Sequence, residues 1–259
     1  MTPTKSQTPS ETAWWKSFYD DVAKVVLADQ APATIVRQVD TIVRLTGLSK
    51  GHRVIDQCCG LGQHACELAS RGVDVVGVDQ SADYIDHARQ LAGHRNVAAE
   101  FVVADALEYQ HPERVDAIYN WHSSFGYARH DAQNGRMLDA ARHSLRHGGM
   151  MLLEFPNMLH LLANFQESIV SQHPDGVALT RTSRIAACTG TLHQVWEYRR
   201  NGQRVRRHES TLRIYLPDQL IKMFCDYGFD DVCALSPCGE PLTPAEPRCI
   251  IVGRNPSDG

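Results

Sequence analysis

A chain of 259 residues can bury a large core and accommodate one α/β domain with an insertion. Apolar residues make up 43% and charged residues 22%, ordinary globular proportions. A formal charge of -4 argues against a general nucleic-acid binder, and no apolar run approaches the roughly 18 residues of a membrane span.

Residues 1–10 are polar, lack the apolar core of a signal peptide, and are expected to be a disordered tail. Residues 11–50 read as an N-terminal helical cap. Glu11 to Asp20 carries Trp14, Trp15, Phe18 and Tyr19, and Pro32 to Thr46 carries Ile35, Val36, Val39, Ile42, Val43 and Leu45. So few residues bury too little surface to be a separate domain.

From 51 to 156 strand-like and helix-like runs alternate, the mark of βαβ units. The expected strands are His52 to Gln57, Val73 to Asp79, Ala98 to Ala104, Val115 to Asn120 and Met150 to Phe155. The expected helices include Ala82 to Ala92 and Gly135 to Arg146, the latter closed by Gly148-Gly149. Residues 157–216 read as a lid inserted after the fifth strand. A helix from Met158 to Val170 leads to a hairpin in which Thr191 to Tyr198 meets Gln203 to Leu216 across Asn201-Gly202. Residues 217–259 supply a helix opened by Pro217 and an antiparallel edge pair, Phe229 to Leu235 and Cys249 to Val252, that complete the core. The fold class is α/β, with a Rossmann-like, doubly wound, mostly parallel seven-stranded sheet.

The densest functional signal is Val54 to Gly62, a buried-type strand that ends in Asp56 and a glycine-rich turn. A tight turn at the carboxyl end of a parallel strand lets a small ligand lie against the main chain. Asp79 closes the next strand seventeen residues beyond Gly62, a distance suited to ribose hydroxyls. A local role competes, because Asp79 and Ser81 are both residue types that cap a following helix. A nicotinamide enzyme would want a third glycine where Ala65 stands.

The eight cysteines form no Cys-x-x-Cys pair, and the thirteen histidines show no ligand-like spacing with them. Reduced thiols, no metal and a cytoplasmic setting are expected. Five arginines, Arg199, Arg200, Arg204, Arg206 and Arg207, cluster near the hairpin turn. A solvated edge explains them as well as an acidic partner does.

Over residues 50 to 156 this pattern resembles the class I S-adenosylmethionine (SAM) dependent methyltransferase family. Asp56-Gln57-Cys58-Cys59-Gly60-Leu61-Gly62 is similar to its first motif, with Cys58 where glycine is commoner, a replacement that requires residue 58 to avoid positive φ. The resemblance implies SAM as cosubstrate. It would be held by Asp56, Cys58, Gly60, Gly62, Asp79, Gln80, Asp105, Ala106 and Asn120, with Trp15 over the site.

The run Tyr119 to Tyr127 follows the fourth strand, where the chemistry is expected. His122 is the candidate general base, by virtue of its near-neutral pKa, against a purely local hydrogen-bonding role. Asn120, Ser123 and Tyr19 are the accompanying catalytic candidates. Trp14, Trp121, Tyr127, His193, Trp196 and Tyr198 are expected to line the substrate pocket. The expected partner is a small-molecule metabolite, with no nucleic acid or membrane, and a homodimer is an open option. Two other readings stand beside methyl transfer: a SAM-cyclising enzyme that makes azetidine-2-carboxylate and methylthioadenosine, and a non-catalytic SAM-binding regulator.

Overall fold

A computed structural model describes residues 13–256 apart from 20, 29 and 123. The expected tail at 1–10, the start of the first expected helix and Ser123 therefore lie outside the described residues.

The core begins with strand β1 (Arg53–Gln57) and continues with helix α4 (Gln63–Ser70), β2 (Asp74–Asp79), α5 (Ala82–Arg95), β3 (Glu100–Val103), β4 (Val115–Asn120), α6 (Asp131–Ser144) and β5 (Leu145–Pro156). After the insert come α8 (Pro217–Asp226), β10 (Asp230–Leu235) and β11 (Arg248–Arg254). The seven strands lie in the order β10-β11-β5-β4-β1-β2-β3. Only β11 runs against its neighbours, pairing antiparallel with both β5 and β10. From β1 the chain steps outward to β2 and β3, then returns to lay β4 on the other side of β1. That reversal opens a crevice outside the carboxyl ends of β1 and β4.

Alternation along the strands fills both faces of the sheet. Ile55, Val76 and Ile118 pack with α6 and α8, whereas Val54, Val75 and Ala117 pack with α3 (Pro32–Thr46), α4 and α5. Ahead of α3 lie two short helices, α1 (Trp15–Phe18) and α2 (Asp21–Ala28).

The insert holds more than a hairpin. A short helix α7 (Met158–Ala163) precedes an antiparallel sheet of β6 (Ser168–His173), β7 (Val177–Ala186), β8 (Thr191–Arg200) and β9 (Gln203–Arg213). The helix expected from Met158 to Val170 stops at Ala163. Residues from Ser168 onward instead pair with β7 in an unbroken ladder from Ser168↔Thr182 to His173↔Val177. That tertiary pairing outweighs helical spacing, and the β-branched pair Ile169-Val170 suits it. The Asn201-Gly202 turn is as expected, with both residues at positive φ.

Two further expectations are corrected. Helix α6 begins at Asp131 rather than Gly135 and ends at Ser144, so Gly148-Gly149 is not its cap. Gly135 sits inside the helix because a Cβ there would lie 2.1 Å from the Tyr227 ring. Gly148 instead donates its N–H to the Asn255 carbonyl at 2.8 Å within the strand region.

Candidate active site

The turn after β1 passes through three left-handed residues, Cys58 at φ 66, Gly60 at φ 53 and Gly62 at φ 76. The expectation that residue 58 avoids positive φ is thus overturned. A cysteine there costs about 1 to 2 kcal/mol, and the surrounding turn holds it. Cys59 donates its N–H to the Val78 carbonyl at 2.9 Å, and Gly62 donates to the Cys59 carbonyl at 3.0 Å. Gly62 faces away from ligand space: a Cβ on it would meet the Ala88 Cβ at 2.6 Å, so glycine lets α5 approach.

Around this turn a cavity opens in the crevice. Asp56, Asp79 and Asp105 line it from the ends of β1, β2 and β3. Asp79 accepts from the Gly60 N–H at 3.0 Å and from the Ser81 N–H at 2.9 Å. It therefore stitches the glycine turn to the start of α5, while Ser81 itself caps that helix by accepting from the Tyr84 N–H. Burial raises the Asp79 pKa, and these N–H donors oppose the rise. Asp105 folds its own turn, accepting from the Leu107 N–H at 3.0 Å.

Asp56 differs from both. It is 3% exposed, its Oδ2 has no partner among the described residues, and burial pushes its pKa up to about 7. Gln57 bridges the Met137 carbonyl at 3.3 Å, tying β1 to α6. Cys58 also lines the cavity, and burial holds its thiol well above the ordinary range.

The loop after β4 forms the opposite wall. Trp121, His122, Ser124 and Tyr127 line it, held in shape by Asn134, which exchanges two hydrogen bonds with the Ala128 backbone at 2.9 Å each. His122 stands at φ 66 and donates its backbone N–H to Glu154 Oε2 at 2.9 Å. Its ring lies 5.5 Å from that of His64, and its Nε2 is 3.3 Å from the Gln30 amide nitrogen. Part of His122 reaches solvent, yet the packed surroundings hold its pKa below the ordinary histidine value. His64, buried and bound to Gln38 at 2.8 Å, is pushed down to about 3 by that burial.

Helix α1 closes the mouth. Trp15 and Tyr19 line the cavity; Gln80 donates to the Trp15 carbonyl at 3.1 Å, and the Tyr19 and Tyr127 hydroxyls meet at 2.5 Å.

Several expected residues lie elsewhere. Asn120 is fully buried and absent from the lining, its amide without a partner among the described residues. Trp14 stands behind Tyr127, ring centroids 4.6 Å apart. Trp196 packs on Phe18 at 5.3 Å and donates its indole N–H to Ser210 at 2.8 Å. Tyr198 is buried with Val177 and Leu179 in the insert's own core, and His193 is bound to Thr191 and Thr211. The insert thus stands behind α1, in a second layer from the cavity. Sequence reasoning passed over Gln30, Gln63, His64 and Tyr84, which do line it. Gln63 and His64 carried a usable signal, since they directly follow the glycine turn.

Residues 54–149 match the sequence model of a family described as a methyltransferase domain. A tRNA (guanine(10)-N2)-dimethyltransferase from Methanothermobacter thermautotrophicus is 30% identical over 126 residues, 46% of this chain and 38% of that protein. This chain thus spans well under half of that relative's length. Among solved structures, the CcbJ methyltransferase from Streptomyces caelestis superposes with a TM-score of 0.77 at 18% identity, covering 92% of this chain and 97% of that one. SAM-bound CalS10, an amino pentose methyltransferase from Micromonospora echinaspora, gives 0.65 at 17% identity, covering 92% and 98%. The likeness at such identities is one of fold, and it includes the regions that flank residues 54–149. No helix among the described residues is long and apolar enough to cross a membrane.

Proposed function

We propose that this chain transfers a methyl group from SAM to a small-molecule metabolite. The observation that carries the reading is one cavity at the switch point whose lining holds two chemically distinct sets of side chains. One set is Asp56, Asp79 and Asp105; the other is the mutually close group Gln30, His64, Trp121 and His122.

The carboxylate set fits SAM. Asp56 has a buried oxygen with no partner among the described residues, suited to a ligand amine, and the Asp79 carboxylate, at the end of β2 on the same cavity, suits ribose hydroxyls. Asp105, Ala106 and Leu107 offer the edge for an adenine ring. Bound SAM supplies a methyl group on a positively charged sulfur. Trp15, Tyr19 and Tyr127 line the same cavity, and a ring face beside a desolvated cation contributes about 2 kcal/mol.

The other set handles the acceptor. His122 is held neutral near physiological pH, so its imidazole can accept a proton from an incoming amine or hydroxyl. The described lining contains no lysine or arginine, which disfavours an acceptor carried by a carboxylate or phosphate. An amine- or hydroxyl-bearing acceptor suits the amide, indole and imidazole groups, and the amino pentose methyltransferase of similar fold gives a precedent for it. Cyclisation of SAM would call for polar groups turned on its own amine. Of the residues expected to do so, Asn120 is buried away from the lining and the Tyr19 hydroxyl is engaged with Tyr127.

The test is product analysis by mass spectrometry after incubation with SAM, alone and with a panel of small amines and polyols. S-adenosylhomocysteine that forms only with an acceptor is the expected result. Methylthioadenosine from SAM alone would establish cyclisation instead, and binding without turnover under every condition would favour a regulator.

A further inference from the structure

A non-glycine residue at φ 66 needs support, because that conformation costs about 1 to 2 kcal/mol. For His122 the support is a single buried carboxylate. Glu154 is 4% exposed, comes from β5 beside β4, and accepts the His122 N–H at 2.9 Å. From the next strand, β11, Arg248 grips both oxygens of that carboxylate through its Nε and Nη atoms. Register explains the reach: Ile250 is opposite Glu154, so Arg248 lies two residues along on the same face.

Glu154 is buried while the Arg248 side chain is 32% exposed. An ion pair that takes a carboxylate out of water is a poor source of stability, since apolar residues of similar volume often do as well. Its place directly behind the loop of the active site calls for another account. The groups that face His122 are Glu154 from β5, Arg248 from β11, the neutral His64 ring from α4, and Gln30 ahead of α3. Two of these carry charge, and they oppose each other.

We propose that Glu154 and Arg248 are positioning residues for His122, fixing its backbone and setting the proton affinity of its imidazole through their opposed charges. The inference rests on His122 as the proton acceptor of the proposed transfer. Burial lowers the His122 pKa most, the Glu154 charge raises it, and the Arg248 charge lowers it. Glu154→Gln keeps an oxygen for the His122 N–H but removes the negative charge. Arg248→Met removes the positive one.

The experiment is an NMR titration of the thirteen histidine rings in the full chain, with the His122 resonance identified by its loss in His122→Gln. Relative to the unaltered protein, the His122 midpoint should fall in Glu154→Gln and rise in Arg248→Met. Arg248→Lys, which keeps the charge, should return it towards the original value. Should Arg248→Met not fold, Arg248→Gln takes its place with the same expected rise. An unchanged midpoint in either charge-removing variant, or a shift of the same sign in both, overturns the inference. Full turnover by His122→Gln would instead remove the proton-acceptor reading, a separate result that the midpoints do not depend on.

Discussion

The Tyr19 and Tyr127 hydroxyls meet at 2.5 Å and bind helix α1 to the loop after β4, across the mouth of the cavity. Burial raises both phenols, Tyr127 to about 12, so both stay protonated at neutral pH and one donates to the other. Tyr19→Phe removes one partner and keeps the ring. A single hydrogen bond of this kind contributes about 1 kcal/mol. The expected outcome is a roughly five-fold weaker SAM affinity by calorimetry and faster hydrogen exchange at the Trp15–Phe18 amides. Unaltered exchange there would show that the tyrosine pair does not hold the helix down.

Asp79 uses both oxygens on backbone donors, Gly60 on one side and Ser81 on the other. An asparagine has one oxygen, so in Asp79→Asn one of these N–H groups faces an NH2 group whichever way the amide turns. The glycine turn and the start of α5 should separate, and SAM affinity should fall by about 10- to 100-fold, the range of a lost charged hydrogen bond. Equilibrium binding measures it. Wild-type affinity would mean that Asp79 serves only as the cap that the sequence also allowed.

How much of this was legible depended on where each signal came from. Asp56, Gly60 and Asp79 follow from strand-turn-helix chemistry within one βαβ unit, a local pattern. His122 was reachable because it lies two residues beyond the end of β4. The placement of Trp196, Tyr198 and His193 was not, because it depends on which face of an inserted sheet turns inward and on what stands between. Here Phe18 of α1 intervenes, with its ring against that of Trp196. Gln30 lies in a connection between helices, with nothing local to mark it. Cys58 shows a different failure: the turn imposes a left-handed residue even where no glycine stands.

Gly62 is a packing glycine in a motif otherwise read as a ligand cradle. Gly62→Ala places a methyl group 2.6 Å from the Ala88 Cβ and 3.1 Å from the Phe101 ring, at φ 76. Overpacking and the left-handed penalty together should destabilise the fold by about 2 to 4 kcal/mol. Denaturant melts measure it. Ala88→Gly should restore part of the loss, because it removes the nearer clash; absence of any rescue would place the cost elsewhere.

Asp56 gives the protein an unusual response to pH. Its pKa rises from an ordinary 3.8 to about 7 on folding, chiefly through burial. The folded state therefore holds a proton that the unfolded chain has released, and stability falls as pH rises from about 4 to about 7. Above pH 7 the full cost is present, on the order of 4 kcal/mol from a shift of about three pH units. Asp56→Asn carries no such charge. Without ligand, this variant should melt at a higher temperature than the unaltered protein at pH 8, and the gap should close towards pH 4. With SAM present the order should weaken or invert, because a cationic amine beside Asp56 would stabilise the carboxylate form. Thermal melts across that pH range, with and without SAM, check both parts. A gap that does not change with pH would mean that Asp56 is ionised in the folded state throughout and that its partner is already supplied by the protein.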